Sequence, residues 1–208
     1  TENLKKIHLL TTSLYKDFDH LIEKYLEVGA KIFQMEYGIV SEIYENKYIV
    51  RDAISPDGSL AKGAEFELEG TYCREVFKNE VTLGFPHVGE MENLKNHPVY
   101  INMKLESYIS SPIYVNDKIY GTLNFSSTKI RPFGFSESER DFISLMATSI
   151  GAFLDLRIKR KELLDTNERL KKLVGIVAHD LRNPLGAICS FSELLEVDPG
   201  QQDIVDLI

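Results

Sequence analysis

A run of residues spaced alternately three and four positions apart constrains this chain more than any other feature. Alternating steps of this kind place side chains on one stripe of an α-helix, as in the contact seam of a coiled coil. The sequence therefore predicts one very long helix with a coiled-coil segment at 156–174. The seam residues are Phe153, Leu156, Arg160, Leu163, Asn167, Leu170, Val174, Val177 and Leu181.

Two positions of this seam are polar, Arg160 and Asn167. A buried Asn at such a position fixes the register and the dimeric state of a coiled coil at some cost in stability. The seam therefore predicts a parallel homodimer, in which Arg160 and Asn167 are candidate switch layers. The alternative is that the seam packs on the chain's own first domain, but the basic residues beside it leave only a narrow apolar stripe.

The region before the long helix alternates between helical and strand patterns. Apolar residues within 17–35 follow a helical period, and Ser136 with Glu139 forms a capping-box pattern that predicts the start of the long helix. Two hairpins are predicted, because each pair of β-rich segments is separated by a turn-prone dipeptide. Their strands are Gly38–Tyr44 with Lys47–Ile54, and Tyr108–Val115 with Lys118–Ser126.

A helix at Gly70–Lys78 and a short strand at Val81–Phe85 are predicted between the two hairpins. A loop-rich crossing through Pro86, Gly89 and Pro98 follows, where a ligand cavity could lie. Strands that arrive as hairpins, with helices at both ends, indicate an α+β fold with an antiparallel sheet of about five or six strands. The hairpins alone do not determine the strand order.

Composition excludes several classes of function. The 208 residues carry 24 Lys and Arg against 32 Asp and Glu, a net charge of −8 without a long basic run, so nucleic acid is not expected as a partner. No apolar run approaches the length of a membrane-spanning helix. Cys73 and Cys189 have no CxxC spacing, which predicts neither a disulfide framework nor a metal site and favours a reducing, cytoplasmic compartment. The sequence starts at Thr1 and stops at Ile208 within a helical pattern, so we expect part of a longer protein.

His179 lies between seam residues Val177 and Leu181 and is therefore predicted on the outward face of the long helix. Asp180 can accept a hydrogen bond from the ring Nδ1–H, leaving Nε2 as a neutral nucleophile suited to taking a phosphoryl group. Asn183 follows one helical turn after His179 and can orient a phosphoryl donor or a water. Pro184 removes a backbone donor and is expected to bend the helix, which makes it a candidate structural switch.

The segment His179-Asp180-Leu181-Arg182-Asn183-Pro184-Leu185 resembles the phosphoacceptor box of sensor histidine kinases. The resemblance implies a dimerisation and histidine phosphotransfer domain over 175–208, truncated within its helical hairpin. It also implies that His179 is phosphorylated, that Asp180 is its acid/base neighbour, and that Asn183 assists transfer to, or dephosphorylation of, a response regulator receiver domain.

A complete kinase of this family also carries an ATP-binding domain, and no Asn-rich or Gly-rich box of that domain is matched in this sequence. ATP and Mg²⁺ are therefore expected in a domain outside the chain, and the chain alone is not expected to autophosphorylate. No cofactor is expected within the chain itself.

Residues 1–155 resemble a GAF domain, a small-ligand sensor module that often precedes a histidine kinase core. The resemblance rests on the leading helix, on Thr71–Val76, Ser107–Ile113 and Gly121–Phe125, and on Phe135–Phe142. It implies an antiparallel sheet with flanking helices, and it identifies the fold better than the ligand.

Cys73 and His97 are the candidate ligand-binding residues of this first domain. Cys73 could attach a chromophore, but the Cys-His pair of bilin-binding relatives is absent, and a lone Cys on an apolar helix face is more typical of a core. His87 and His97 could bind haem or a metal, yet neighbouring prolines and the absence of paired ligand spacing favour surface loops. A small ligand is possible, and so is a ligand-free role in dimerisation and signal relay.

Together these features predict the sensor and dimerisation portion of a two-component histidine kinase, a protein-histidine kinase (EC 2.7.13.3) when complete. The alternative is a non-catalytic protein that binds a ligand through its GAF domain and merely dimerises, or a phosphotransfer protein. Residues beyond Ile208 would discriminate between the two, because only a kinase needs a downstream nucleotide-binding domain.

Overall fold

The computed structural model describes residue 5, residues 10–13 and residues 15–196, with side chains up to Ser192. Among the described residues, four helices, six strands and two short 3₁₀ turns have defined bounds, and they form the α+β architecture that the sequence predicts. In chain order they are α1 Phe18–Phe33, β1 Tyr37–Tyr44, β2 Lys47–Ile54, β3 Glu65–Glu67, a 3₁₀ turn Leu68–Gly70, α2 Cys73–Asn79, β4 Leu83–Phe85, a 3₁₀ turn Val88–Glu90, α3 Pro98–Met103, β5 Ser107–Val115, β6 Lys118–Ser127 and α4 Glu137–Glu196.

The six strands form one antiparallel sheet in the order β3-β2-β1-β6-β5-β4. Both predicted hairpins are present, and residues of the predicted turn dipeptides have a positive φ. Asn116 and Asp117 have φ of 50° and 59° in the β5–β6 turn, and Glu45 has φ of 56° in the β1–β2 turn. The strand pairs within each hairpin were therefore predictable, whereas the pairing of β1 with β6 joins segments far apart in sequence.

One face of the sheet is covered by α1 and by the first part of α4. The approach is close, because a Cβ added to Gly29 of α1 would lie 2.1 Å from the Phe125 ring, and a Cβ added to Gly151 of α4 would lie 2.2 Å from the Tyr114 carbonyl oxygen. Only glycine allows these contacts. The core on this face is apolar and includes Leu21, Ile22, Leu26, Phe33, Val40, Ile109, Leu123, Phe125, Ile143, Met146 and Ile150.

The start of α4 is the predicted capping box. The Ser136 backbone N–H donates to Glu139 Oε2 over 2.9 Å, and the Glu139 N–H donates to Ser136 Oγ over 3.3 Å. Arg131 adds an ion pair to Glu139 at 2.7 Å. Burial raises the pKa of the Glu139 carboxyl, but the hydrogen bonds from Ser136 and the charge of Arg131 outweigh burial, and the net pKa is lowered.

The opposite face of the sheet is covered by α2, α3 and the loops around them. Its core includes Tyr48, Tyr72, Val76 and Tyr108. The predicted helix at Gly70–Lys78 is present as α2, three residues later at its start, because the chain first makes the 3₁₀ turn. The sequence analysis did not predict β3 and α3, which span three and six residues and are too short to show a hydrophobic period.

The chain divides into two compact units, one ending at Arg157 and the other starting at Ile158. The α4 helix contains 60 residues, with Pro184 inside it, and supplies the last element of the first unit. The bounds predicted for a coiled-coil segment at 156–174 and a phosphotransfer domain at 175–208 stay predictions. The second helix of the predicted hairpin, after Pro199, lies outside the described residues.

Candidate functional site

A cavity of about 220 Å³ lies between the sheet and the elements that cover its second face. Its floor is formed by side chains of β1, β2, β5 and β6, and its walls by the start of α2 and by α3. Phe66 of β3 and Met103 of α3 are partly exposed and lie at its rim. The cavity therefore uses the two elements that sequence analysis did not predict, together with the strands that it did.

Local sequence explains how α3 reaches this position. His97 is the N-cap of α3, where its Nδ1 accepts a hydrogen bond from the Val99 N–H over 3.3 Å, and Pro98 occupies the first turn. Proline suits this position because it needs no hydrogen-bond donor there. Lys104 ends the helix with a left-handed backbone, φ of 52°. A helix of a turn and a half thus presents Val99 and Met103 to the cavity.

A hydrogen-bonded cluster centred on Cys73 forms the floor. Tyr108 donates its hydroxyl proton to Cys73 Sγ over 3.2 Å. The Asn124 Nδ2 group donates to Tyr48 Oη over 3.0 Å and to Cys73 Sγ over 3.4 Å. These four side chains come from α2 and three different strands, so they meet only when the whole sheet is assembled.

Burial holds this cluster in its neutral protonation states. It raises the pKa of the Cys73 thiol above its ordinary value, despite hydrogen bonds from Thr122 and Tyr108. It also raises the pKa values of Tyr48 and Tyr108 well above that of free tyrosine. Because a thiol is a far weaker nucleophile than a thiolate, Cys73 is a structural hydrogen-bonding group in this state.

Tyr72 forms one wall of the cavity. Its hydroxyl donates to the Leu105 carbonyl oxygen over 3.1 Å, so its proton is not available to a ligand. The ring meets Tyr108 edge to face, with centroids 5.3 Å apart, and meets Phe85 in the same way at 6.2 Å. Such contacts orient aromatic side chains as well as stabilise them.

The prediction of a surface loop at His97 is wrong. The side chain is 7% exposed, and its ring lies 5.0 Å from the Tyr72 ring. Burial lowers the pKa of the imidazole, and the nearby Arg74 charge lowers it further. The flanking proline that indicated a loop instead starts α3, and His97 supports the cavity wall from behind without lining it.

The structure agrees better with the predictions for Cys73 and His87. Cys73 is buried as a core residue of α2 and also faces the cavity. His87 is about one third exposed and lies near Glu90 and Glu106. Glu106 already accepts hydrogen bonds from the Tyr100 hydroxyl over 2.8 Å and the Gly89 N–H over 3.1 Å, so it organises the loop. Within the described residues, no group of three or more His, Cys, Asp or Glu side chains could hold a metal ion.

His179 lies in the second unit, on α4, and is the other candidate site. The His179 side chain is 73% exposed, and its Nδ1 lies 3.3 Å from Asp180 Oδ1, as the proposed orientation of the ring requires. Asn183 follows one turn later and is exposed. Pro184 is included in the helix, which continues beyond it. The geometry is compatible with the predicted roles, and these roles stay predictions.

The predicted seam divides between two environments within the single chain. Phe153, its first residue, is half-buried and stacks on Phe18 of α1 with ring centroids 6.1 Å apart. For this residue the alternative interpretation, packing on the chain's own first domain, is correct. Arg160, Asn167 and the seam leucines are exposed in the single chain. No helix within the described residues is long and apolar enough to cross a membrane.

A sheet in the order β3-β2-β1-β6-β5-β4, with two helices on one face and a cavity on the other, defines a small α+β sensor domain. The family model for the GAF domain matches residues 17–154, which is more than half of the chain. The chain belongs to the GAF domain family.

Solved structures of GAF domains share the fold at low sequence identity. The GAF domain of a phosphoenolpyruvate-protein phosphotransferase from Coxiella burnetii has a TM-score of 0.62 at 12% identity, covering 77% of this chain and 96% of that one. The A. aeolicus nlh2 GAF domain in an inactive state has a TM-score of 0.56 at 19% identity, covering 75% and 97%. The blue-light absorbing form of the Thermosynechococcus elongatus PixJ GAF domain has a TM-score of 0.60 at 14% identity, covering 81% and 96%.

One curated protein with a similar sequence is a signalling enzyme. The methanogenesis regulatory histidine kinase FilI of Methanothrix harundinacea is 28% identical in an alignment 139 positions long, and the match covers 59% of this chain. The matched region is 16% of the length of that protein. The chain is thus a GAF sensor domain with a long C-terminal helix and weak similarity to a regulatory histidine kinase.

Sequence reasoning missed most of the cavity. Tyr48, Tyr72, Tyr108 and Asn124 lie in four separate segments. Three of these segments were used for the resemblance to a GAF domain, but none of the four residues was singled out as a ligand-binding candidate. One signal was available: Asn124 is polar and stands between the apolar residues Leu123 and Phe125 in a predicted strand. A polar residue within such a strand is a candidate for a buried functional face.

Proposed function

We propose that this chain is the sensing and phosphoacceptor portion of a cytoplasmic histidine kinase. In this proposal a small molecule occupies the cavity, and the resulting change is relayed through α4 to His179. The phosphorylated histidine then passes its phosphoryl group to an aspartate of a response regulator. The observation that carries the proposal is that α4 includes residues buried in the sensor core, such as Ile143 and Ile150, and also the exposed His179 with its seven-residue motif.

The chemistry assigned to His179 needs a neutral imidazole whose Nε2 lone pair faces outward. Asp180 accepts the Nδ1 proton in a hydrogen bond and so favours the tautomer with a free Nε2. Nε2 attacks the terminal phosphorus of ATP, a P–N bond forms, and the bond from phosphorus to the bridging oxygen breaks to release ADP. The ring gains a positive charge in this step, and the Asp180 carboxylate stabilises it.

No residue of this chain is assigned to nucleotide or Mg²⁺. A separate ATP-binding domain is expected to supply both, so transfer requires that domain to reach the exposed imidazole. Asn183, on the same face one turn later, is assigned to orient the phosphoryl group or the hydrolytic water. Pro184 is assigned to keep this part of the helix deformable, because the residue cannot complete the backbone hydrogen-bond pattern.

Signal relay is assigned to a parallel homodimer formed along 156–174. Exposed leucines on one stripe of α4, such as Leu163 and Leu170, are the expected contacts. Arg160 and Asn167 would form polar layers between them, and a polar layer makes a coiled coil less stable at that point than a leucine layer does. A change in the sensor sheet would then rotate or tilt α4 and alter access to His179.

The first experiment tests the phosphoacceptor. The chain is mixed with the ATP-binding domain of the same complete protein and with labelled ATP, and acid-labile label is measured. His179→Gln should abolish the label, whereas His87→Gln, which alters a partly exposed histidine of the sensor, should retain it. Equal labelling of the His179→Gln variant would refute the assignment, and absence of label on a well-folded wild-type dimer would favour the non-catalytic alternative.

The second experiment tests sensing by the cavity. Val99→Phe fills the cavity from the α3 wall without altering the floor or α4. In the complete kinase, cell extracts are first screened for one that changes the labelling rate of the wild type. The Val99→Phe variant should keep the same labelling rate with and without that extract. A variant that still responds normally would show that signals enter elsewhere.

A further inference from the structure

The walls of the cavity carry no formal charge. Every lining side chain is apolar, aromatic or a neutral hydrogen-bonding group, and no Asp, Glu, Lys, Arg or His lines it among the described residues. Arg74, the residue after Cys73, is positively charged, but it forms ion pairs with Glu69 at 2.9 Å and with Glu75 at 2.5 Å. An anionic ligand would lose its hydration without gaining a counter-charge, so carboxylates and phosphates are disfavoured.

The size and the lining of the cavity favour a flat ring system. An engineered apolar cavity of about 150 Å³ is known to hold benzene, so about 220 Å³ suits one ring or two fused rings. Aromatic side chains surround this space from several directions, on the strands, at the rim and at the start of α2. They are Tyr37, Tyr48, Phe66, Tyr72 and Tyr108.

Two residues of β6, Asn124 and Ser126, bring hydrogen-bonding atoms to the floor that a ligand could use. Both amide hydrogens of Asn124 have partners, Tyr48 and Cys73, but no donor among the described residues reaches its carbonyl oxygen. The neighbouring Ser126 on the same face of β6 also lines the cavity, and its hydroxyl makes no side-chain hydrogen bond within the described part of the chain. A ligand that donates a hydrogen bond to the amide oxygen of this cavity-lining residue would bind more tightly than a ligand of the same shape without a donor.

We infer that the cavity binds an uncharged aromatic molecule of one or two rings that donates one hydrogen bond, through N–H or O–H, to the Asn124 carbonyl oxygen. The inference rests on the proposed function, because it names the ligand class of the sensing cavity. Asn124 is the specificity-determining residue, because it favours ligands that carry an N–H or O–H group. The aromatic side chains supply contact area to ligands with and without such a group alike.

Indole and benzofuran form a matched pair of probes, because they have the same shape and differ in the N–H donor. The chain contains no tryptophan, so the fluorescence of bound indole is measured without a background of the same chromophore. Indole should bind with a Kd between about 10 μM and 1 mM, as expected for a ligand of its size. Benzofuran, measured by competition, should bind about tenfold more weakly because it leaves the Asn124 oxygen without a donor.

Two variants test whether Asn124 causes the tenfold difference in binding between indole and benzofuran. Asn124→Leu should bring the ratio of the two dissociation constants close to one. Ser110→Ala, which alters the residue paired with Asn124 in the β5–β6 register but outside the cavity lining, should keep the tenfold ratio. If Asn124→Leu does not fold, as judged by circular dichroism, phenol against fluorobenzene repeats the donor test on the unaltered chain, and the phenol should bind more tightly.

Three outcomes would overturn the ligand class. They are equal binding of indole and benzofuran by the wild type, tighter binding of benzoate or tetramethylammonium than of indole, and absence of indole binding at millimolar concentration. The proposed function is judged separately by Val99→Phe in the complete kinase. If Val99→Phe abolishes the response while indole does not bind, the ligand class is wrong and the sensing role is retained.

Discussion

Gly151 allows the closest approach between α4 and the sheet, and its replacement by alanine is the most informative perturbation of the fold. The Cβ of alanine would lie 2.2 Å from the Tyr114 carbonyl oxygen, whereas real Cβ atoms do not approach closer than 3.0 Å. The contact is with backbone at the irregular end of β5, where the register shifts between Ile113 and Tyr114, so no flexible side chain can yield. The helix must therefore move away from the strand by about 1 Å.

The expected cost follows from two opposing terms. Overpacking of this kind costs about 1–3 kcal/mol, because a gap of that size removes a substantial part of the dispersion contact along the helix. Alanine recovers about 1 kcal/mol of helix propensity relative to glycine. Because the clash is with backbone, the upper part of the overpacking range applies, about 2–3 kcal/mol. The net loss is then about 1–2 kcal/mol, which corresponds to a fall in Tm of about 2–8 °C for a domain of this size.

Differential scanning calorimetry of the chain measures this fall in Tm. Gly175→Ala is the matched control, because Gly175 is on the same helix and an added Cβ meets no atom within 4 Å. That control should leave the Tm of the sensor unit unchanged or raise it. A Gly151→Ala variant that is as stable as the wild type would refute the close packing of α4 on β5.

Three further outcomes are expected. At pH 7 Glu139→Gln should be about 1 kcal/mol less stable in urea denaturation, because Gln keeps the capping-box acceptor but loses the negative charge and the ion pair with Arg131. The pKa of Glu139 is lowered in the folded state, so the wild type should keep its whole stability advantage over the variant above the ordinary Glu pKa of about 4.3. This advantage should shrink as the pH falls below that value. An advantage that does not change with pH would contradict the reasoning. Iodoacetamide at pH 8, followed by mass spectrometry, should modify the exposed Cys189 and spare Cys73 until the chain unfolds. Ser110→Ala should keep or slightly raise the Tm, because the buried Ser110 hydroxyl lies near Tyr108 but makes no hydrogen bond of normal geometry; a fall above 4 °C would show a hydrogen bond between the two residues.

The local sequence was sufficient to predict the elements that are determined by a few consecutive residues. Asn116-Asp117 predicted the β5–β6 turn because both residues tolerate a positive φ, and Ser136 with Glu139 predicted the start of α4. The strand order was not predictable in this way, since β1 pairs with β6 more than seventy residues later. The short strand Glu65–Glu67 is defined by its partner rather than by its own composition.

The cavity shows why a site can be harder to predict than the fold around it. His97 next to Pro98 gave the same local signal as a surface loop, and only the packing of Tyr72 on the imidazole makes it a buried cap. Asn124 and Cys73 are 51 positions apart, and their contact depends on α2 lying over β6. The motif that starts at His179 was visible because its members are consecutive, and its roles still await the labelling experiment.

The two faces of the sheet differ in a way that bears on how such a domain can diversify. The face under α1 and α4 is built from interlocked apolar side chains, whereas the cavity face carries buried polar residues such as Ser41, Thr122 and Asn124. Changes on the cavity face alter hydrogen-bonding groups and leave the apolar core on the other face in place. A few substitutions on the cavity face can therefore change which ligands a domain of this kind could bind, while the apolar core on the other face keeps the fold stable.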